Sequence, residues 1–413
     1  MTTGLHDTIA AIWRIESPKL IATLARMTRD VGAAEDLAQD AFVSAVTQWP
    51  GEGIPRNPGA WLMTAAKRRA IDRLRRDKAL GVKTEQLHRA QTGSEPDFAS
   101  RYEEIDDDML RLMFVACHPV LSPEARVALT LKLLGGLTTA EIARAYLTSE
   151  TTMAQRIVRA KRTLAEARVP FEVPTGSERL QRLASILEAI YLIFNEGYAA
   201  TAGDDVLRPE LVEDALRLGR MLARLIPYES EVQGLVALME IQASRMPARL
   251  ARDGAPILLL EQDRGKWNHL AIRRGLAALK AAERLGALGP YGLQAAIGAC
   301  HARAATSDRT DWPRIVALYD ALAQLAPSPV VELNRAVAVG MAYGPQAGLK
   351  VTDALLDEPS MRAYHLLPSV RGDLLYRLGR FPEARCEFER AAELARNVRD
   401  RVLLRERAAA CGV

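Results

Sequence analysis

The stretch LTTAEIARAYLTSETTMAQRIVRAKRTL, residues 137–164, has the pattern of two short helices joined by a tight turn. Thr138 lies three residues before Glu141, which is the spacing of a capping box, and this predicts the start of the first helix. Ser149 can serve as the N-cap of the second helix. Because the two caps leave room for only a short turn, the stretch is predicted to form a helix-turn-helix.

The second of these helices has a polar and basic outer face. Its residues fall at the spacing i, i+3, i+4, i+7 of one helix side, namely Thr152, Gln155, Arg156 and Arg159. Such side chains can bond to base edges in the major groove. The alternative is an ordinary solvated helix face, but the short turn, the caps and the outer face together favour DNA binding. The inner positions are predicted to be Ile142, Ala143, Tyr146 and Leu147 in the first helix and Met153, Ile157, Ala160 and Leu164 in the second.

The composition of the whole chain extends this helical prediction. Hydrophobic residues make up 49% of the 413 residues and aromatic residues only 5%, so a sizeable core can form from small and aliphatic side chains. The sequence contains no convincing run of alternating β-branched residues and no hairpin dipeptide between two such runs. We therefore predict an all-α fold, and the length predicts two or three domains.

Charge, cysteine usage and motifs exclude several classes of protein. The formal net charge of +4 is too small for the whole surface to bind a polyanion, so any nucleic-acid contact must come from local patches. The four cysteines form no CxxC pair, which argues against a disulfide framework and a zinc site. Neither a signal peptide nor a membrane span is expected, so a cytoplasmic location is the prediction. Since no catalytic, metal-binding or cofactor-binding motif is found, we do not expect an enzyme.

Two helical segments precede the helix-turn-helix. Residues 30–49, DVGAAEDLAQDAFVSAVTQW, have an apolar face and an opposite acidic and polar face. Residues 57–78, NPGAWLMTAAKRRAIDRLRRDK, form a basic helix whose cations can follow a phosphate backbone. Trp61 at the start of this helix is expected to be a core residue, with contact to an unstacked base as the alternative.

The order of these segments resembles the bacterial RNA polymerase sigma factors of the extracytoplasmic-function type, which belong to the sigma-70 family. AEDLAQDAF resembles the helix of region 2 that docks on polymerase, and AWLMTAAKRRAIDRLRR resembles the segment that recognises and melts the −10 promoter element. Residues 122–168 resemble region 4, which binds the −35 element. Three further stretches are similar to a subgroup with a tetratricopeptide-like extension, namely CHPVLSPEARVALTLKLLGGLTTAEIARAYL, YLIFNEGY and GPYGLQAAIGACHA.

The resemblance implies roles for individual residues. It assigns polymerase docking to Asp36, Gln39 and Asp40. It assigns capture and opening of the −10 element to Trp61, Lys67, Arg68, Arg73, Arg75 and Arg76. It assigns reading of the −35 element to Ser149, Thr151, Thr152, Gln155, Arg156 and Arg159. Arg68 stands where many members of the family have Asn, so their detailed preference for −10 bases is not carried over to this chain.

Breaks in the pattern divide the chain into four parts. Residues 1–85 are predicted to form the region 2 domain, and residues 86–112 a polar linker. Residues 113–172 are predicted to form the region 4 domain, and residues 173–413 a helical extension. The extension accounts for more than half of the chain, so most of its length lies outside the two DNA-binding domains.

The extension contains a repeated helix–turn–helix pattern. Residues 373–395, DLLYRLGRFPEARCEFERAAELA, resemble a tetratricopeptide repeat in the placement of Leu-Gly, Phe and small residues. Residues 327–356 have the same size of helix pair with a weaker motif. Because each pair buries its apolar face only against its neighbours, the extension is predicted to be a curved helical array that presents a surface to a protein or peptide.

The resemblance implies a factor that directs core RNA polymerase to promoter DNA and initiates transcription, while the chemistry belongs to the polymerase. The fused extension is then a built-in regulator, which either masks the DNA-binding faces or stabilises the holoenzyme. Two other classes of function stay open from the sequence. One is a helix-turn-helix repressor or activator that binds operator DNA alone, and the other is a repeat scaffold with a vestigial sigma part.

Overall fold

The computed structural model describes residues 2–79, 98–198, 207–251, 255–395 and 397–412. Over these ranges the regular structure is helical, with one isolated antiparallel bridge between Leu250 and Pro256, so the predicted all-α fold is confirmed. The chain divides into two compact units, Met1–Leu192 and Ile193–Val413. The helices are α1 Thr2–Thr28, α2 Val31–Glu52, α3 Pro58–Ala79, α4 Phe98–Ala116, α5 Pro123–Leu133, α6 Thr139–Ala145, α7 Glu150–Glu166, α8 Gly176–Tyr198, α9 Pro209–Leu225, α10 Ser230–Ala243, α11 His269–Leu285, α12 Pro290–Arg303, α13 Trp312–Leu325, α14 Pro329–Ala342, α15 Pro345–Asp353, α16 Leu366–Arg377, α17 Phe381–Leu394 and α18 Val398–Ala410.

The first three helices pack on one another in the first unit. Asp30 begins α2, because its side chain accepts a hydrogen bond from the Ala33 N–H at 3.0 Å. The faces that meet carry alanine and leucine together with Trp49, which is 1% exposed. Small side chains let the helices approach closely, while the Trp49 ring packs edge-on against Trp61 of α3, with centroids 5.4 Å apart.

The helix-turn-helix forms as the sequence predicts. Thr138 and Glu141 make the reciprocal bonds of a capping box, and Ser149 accepts from the Thr152 N–H at 3.1 Å. The four inner positions predicted for α7 are buried. The prediction for Leu147 is wrong: its side chain is 58% exposed, because its φ of 48° ends α6 and directs the chain into the turn.

The larger part of α8, up to Leu192, also belongs to the first unit. The guanidinium of Arg182 donates to the Phe114 carbonyl at 3.3 Å and lies 5.8 Å from the centroid of the Phe114 ring. Arg126 of α5 pairs with Glu188 at 2.7 Å. The first unit therefore continues to Leu192, and a truncation meant to preserve its core must follow that residue.

The second unit is a series of helices joined by short turns. The two predicted helix pairs are present, since residues 327–356 contain α14 and α15 and residues 373–395 contain the end of α16 and all of α17. At Gly348 an added Cβ would lie 2.7 Å from the Ala336 carbonyl oxygen, so only glycine permits this approach of α15 to α14. None of the helices in the described ranges is long and apolar enough to cross a membrane.

Candidate nucleic-acid interface

The outer face of α7 presents most of the residues predicted to read DNA. Ser149, Thr151, Thr152, Gln155 and Arg159 are exposed, and Arg156 is half-buried. Their inner neighbours anchor the helix, so its outer face is held in one orientation. A groove of about 330 Å³ lies along this face, between α7 and the start of α5, and is lined by Ser122, Thr152, Gln155, Arg156 and Arg159 among others.

Two arginines of α7 lie near carboxylates of the chain. Hydrogen bonds from the backbone N–H at the start of α5 and from the Ser122 hydroxyl hold the pKa of the Glu124 carboxyl below its usual value. The charge of Arg156 lowers this pKa by a smaller amount. Further along α7, Arg162 pairs instead with Glu166 at 2.6 Å, on another side of the helix. The side chains of Thr151, Gln155 and Arg159 are exposed on the outer face and are accessible to a ligand.

A second cleft lies on α3 beside Trp61. Trp61 is half-buried, and its ring meets the Trp49 ring edge-on with centroids 5.4 Å apart. Trp61 also lines a surface cleft of about 620 Å³, together with Ser44 and Arg69. Trp61 thus packs against other residues and also has an accessible aromatic surface. The prediction that it is a core residue describes only part of its environment.

The cations of α3 lie along its solvent side. Lys67, Arg68, Arg73 and Arg75 are exposed, while the intervening Leu62, Ala66 and Ala70 are buried. Arg69 is turned toward α2, where its guanidinium donates to the Ser44 hydroxyl at 2.5 Å. The side chain of Arg76 lies outside the described residues. These exposed cations give α3 a positively charged surface that a phosphate backbone can contact.

The three residues predicted to dock on polymerase lie together on α2. Asp36, Gln39 and Asp40 are exposed, as the spacing i, i+3, i+4 requires of one helix face. The amide of Gln39 donates to Glu35 at 2.9 Å. They lie on a different helix from the cations of α3, so the structure separates a polar, acidic face from a basic one.

A buried charge cluster that the sequence did not reveal joins α2 to the helix-turn-helix. Glu35 is 3% exposed, and its carboxylate lies 3.6 Å from the Lys132 ammonium of α5 and pairs with Lys161 of α7. We call these three residues the Glu35 cluster. Beside it, an added Cβ at Gly136 would lie 2.9 Å from the Arg14 carbonyl oxygen, so α1 contacts the turn between α5 and α6. The predicted region 2 and region 4 domains therefore touch in this structure.

The thiol of Cys117 has no sign of catalytic activation. Burial raises the pKa of this thiol to about 11, and its Sγ lies 3.2 Å from the Thr130 hydroxyl. The neighbouring His118 instead accepts from the Val120 N–H at 3.1 Å. A protonated, buried thiol is a packing group, and the two side chains do not form a thiolate–imidazole pair.

Three families match successive parts of the chain. The family described as Sigma-70 region 2 matches residues 12–79, and the family described as Sigma-70, region 4 matches residues 111–164. A family of unknown function, DUF6596, matches residues 182–283. The first two matches cover the basic helix α3 and the helix-turn-helix, while the third begins in α8 and ends in α11.

Individual relatives extend over most of the chain. An uncharacterized protein of Rhizobium meliloti (strain 1021) is 42% identical over 391 residues, covering 94% of this chain and 92% of the relative. A protein named Probable ECF RNA polymerase sigma factor SigI of Mycobacterium tuberculosis is 27% identical, covering 65% of this chain and 93% of the relative. ECF RNA polymerase sigma factor SigK of Mycobacterium ulcerans is 28% identical, over 39% of this chain and 86% of its own length. The solved structure of yeast Tom70 aligns with 95% of this chain and 82% of its own, at 11% identity and a TM-score of 0.37. This score is too low to indicate a shared fold.

Proposed function

Because the chain belongs to the RNA polymerase sigma factors of the extracytoplasmic-function type, which direct polymerase to promoters, we propose that three separate faces divide the work. The outer face of α7 reads the −35 element. The basic side of α3 with the Trp61 cleft captures and opens the −10 element. Asp36, Gln39 and Asp40 of α2 contact core polymerase, which works in the cytoplasm and supplies the chemistry.

One observation carries this proposal. The outer face of α7 combines exposed hydrogen-bonding groups at its N-terminal turns with cations further along, on a helix whose opposite side is buried. The first turns of such a helix can reach base edges, while Arg159 and the residues after it meet phosphates. The N-cap at Ser149 and the buried inner residues anchor α7, so its outer face keeps one orientation.

In vitro transcription with core polymerase tests the function directly. We expect the full chain to direct initiation at specific promoters in a genomic library, which core polymerase alone does not do. Specific binding of the same DNA without any gain in initiation would indicate a repressor or activator instead. A chain that neither binds polymerase nor directs initiation would indicate a scaffold.

The same assay tests the role of the extension, which we propose is regulatory. A variant that ends after Leu192 retains the buried residues of α8 that complete the first unit. Higher initiation by this variant would show that the extension masks the DNA-binding faces, and lower initiation would show that it supports the holoenzyme. A protein or peptide bound to the helical array is the partner we propose for it, because such arrays use their surfaces for protein contacts.

We further propose that the Glu35 cluster holds a closed state of the first unit. The −35 and −10 elements are named by their positions, which differ by about 25 base pairs. This separation corresponds to roughly 85 Å of B-DNA. A compact unit of this length has a radius of gyration of only about 16 Å. Since Glu35 of α2 is paired with Lys161 on the reading helix itself, the two faces cannot reach both elements while the cluster is intact.

The variant Glu35→Gln is expected to open this closed state. Loss of the carboxylate leaves Lys132 and Lys161 without their buried counter-charge. The free energy of the contact between α2 and the helix-turn-helix should become less favourable by about 1.5–3 kcal/mol. Energy transfer between dyes placed at the exposed positions Val43 and Val158 should therefore fall. Glu52→Gln, an exposed change on the same helix, is the matched control and should leave the transfer unchanged. Equal transfer in both variants would contradict a closed state held by Glu35.

A further inference from the structure

Two arginines share one aromatic ring inside the second unit. The guanidinium carbon of Arg249 lies 3.9 Å from the centroid of the Tyr198 ring, and that of Arg245 lies 5.8 Å from the same centroid. Arg249 also donates to the Tyr198 carbonyl. The Tyr198 ring also stacks on the Phe194 ring, with centroids 5.5 Å apart. Two positive charges therefore lie near one packed aromatic ring.

A third arginine adds its charge to this pair. Arg264 donates to the carbonyls of His301 and Ala304, at 2.5 and 2.8 Å, and lies 5.0 Å from the centroid of the Trp267 ring. Burial is the main cause of the lowered pKa of Arg249 and of Arg264. The positive charge of Arg245 lowers both pKa values further, so Arg245 acts electrostatically on both of the other arginines. We call Arg245, Arg249 and Arg264 the inner arginine cluster.

The described residues do not neutralise this cluster. None of its three guanidiniums forms an ion pair within 4.0 Å with a carboxylate of the described ranges. Asp400 acts on Arg249 and Asp308 acts on Arg264 only at longer range. All three arginines are half-buried, so water screens their mutual repulsion incompletely. Partly buried like charges that act on one another without a paired counter-charge are costly, and a bound anion would remove that cost.

Buried polar atoms without partners lie in the same neighbourhood. Within the described part of the chain, Arg245 Nε, Trp267 Nε1 and His301 Nδ1 are buried and form no hydrogen bond. Trp267 is 3% exposed and His301 is 7% exposed, so bulk water does not satisfy them. Burial, then the charges of Arg245 and Arg264, lower the pKa of His301 to about 4, which keeps the ring neutral at pH 7. A nitrogen of a neutral histidine can donate or accept, whereas the N–H groups of a guanidinium and of an indole can only donate. The Arg245 guanidinium and the Trp267 indole therefore each have an N–H donor without an acceptor.

We propose that the inner arginine cluster, with Arg245 and Trp267 as donors, binds the phosphate group of a small molecule. An ordered water could accept the same hydrogen bonds, but it would leave three positive charges unbalanced. A carboxylate brings a single negative charge and two oxygens, whereas a phosphate brings up to two charges and more acceptor oxygens, which fits several guanidiniums better. The site belongs to the extension and includes none of the residues predicted to bind DNA or polymerase, and it makes the extension a receptor for such an anion.

Titration of the full chain with inorganic phosphate at constant ionic strength tests the site. We expect millimolar phosphate to raise the unfolding temperature of the second unit by about 3 °C or more relative to chloride. Phosphate also stabilises proteins generally by exclusion from their surfaces, so the specific part is the shift that a site variant loses. Comparing inorganic phosphate with glycerol 2-phosphate by calorimetry distinguishes a free ion from a phosphate ester, and the tighter binder identifies the source.

The variant Arg245→Met separates the proposal from a structural role. Arg245 makes no hydrogen bond to the described residues, so its loss should leave the unfolding temperature in chloride equal or higher, because repulsion within the cluster falls. The same variant should bind phosphate at least ~10-fold more weakly. Arg274→Met, at an exposed position of α11, is the matched control and should keep the full shift. A lower unfolding temperature of Arg245→Met in chloride, with no specific phosphate shift in the native chain, would overturn the proposal and show that carboxylates of the chain itself balance the cluster.

Discussion

Replacement of Arg156 by alanine is expected to weaken binding to a −35 duplex by roughly 5- to 150-fold. Arg156 is half-buried against the groove between α7 and α5, so its guanidinium starts from a restrained position beside Gln155 and Thr152. A well-placed contact from such a side chain to a base contributes about 1–3 kcal/mol of discrimination. Because the contact that we propose for Arg156 is to a base, the loss should be largest for the preferred duplex and should relax specificity at one position.

Fluorescence anisotropy with labelled duplexes measures this effect. Arg162→Ala is the matched control, because Arg162 is on the same helix but pairs with Glu166 and lies on another side. The control should change binding only slightly and equally for all duplexes, as expected of a phosphate-range charge. If Arg156→Ala weakened all duplexes to the same degree, Arg156 would be a phosphate contact, and the assignment of a base-reading role would be wrong.

The helix-turn-helix could be predicted from sequence because its determinants are local. The capping box of Thr138 and Glu141 and the N-cap at Ser149 lie within three residues of the groups they bind. The 3.6-residue period then identifies the buried side of α7. Leu147 was assigned to the buried side by the same period, but the period holds only while the helix continues, and the backbone at Leu147 has already left it.

The Glu35 cluster and the inner arginine cluster could not be predicted, because their members are far apart in the chain. Lys132 and Lys161 lie roughly 100 or more residues from Glu35, and each reads as an ordinary exposed cation of an amphipathic helix. Tyr198 and Arg249 are likewise brought together only by the packing of the helices between them. Side-chain charge shows which residues can pair, but tertiary packing decides which of them do.

Trp61 can have both a packing role and a functional role. Its edge-on contact with Trp49 accounts for the packing expected from the sequence, and the cleft that it lines adds a surface where a base can stack. Replacement of Trp61 by alanine is expected to reduce promoter opening by roughly 5- to 150-fold, which corresponds to the ~1–3 kcal/mol of one stacked base. Binding of an isolated −35 duplex should stay unchanged, since α7 keeps its own anchors.

The fluorescence of 2-aminopurine placed in the −10 element, with holoenzyme assembled on the promoter, measures opening directly. Trp61→Phe should restore much of it, because phenylalanine keeps an aromatic face. Trp49→Ala provides the structural comparison: Trp49 is 1% exposed, so its truncation should cost about 3–5 kcal/mol of stability and lower the unfolding temperature more than Trp61→Ala does. If the two alanine variants lost stability and opening in the same proportion, and phenylalanine gave no rescue, Trp61 would act only by packing. A loss of opening in Trp61→Ala at nearly native stability would instead assign the aromatic surface of the cleft to the unpaired base.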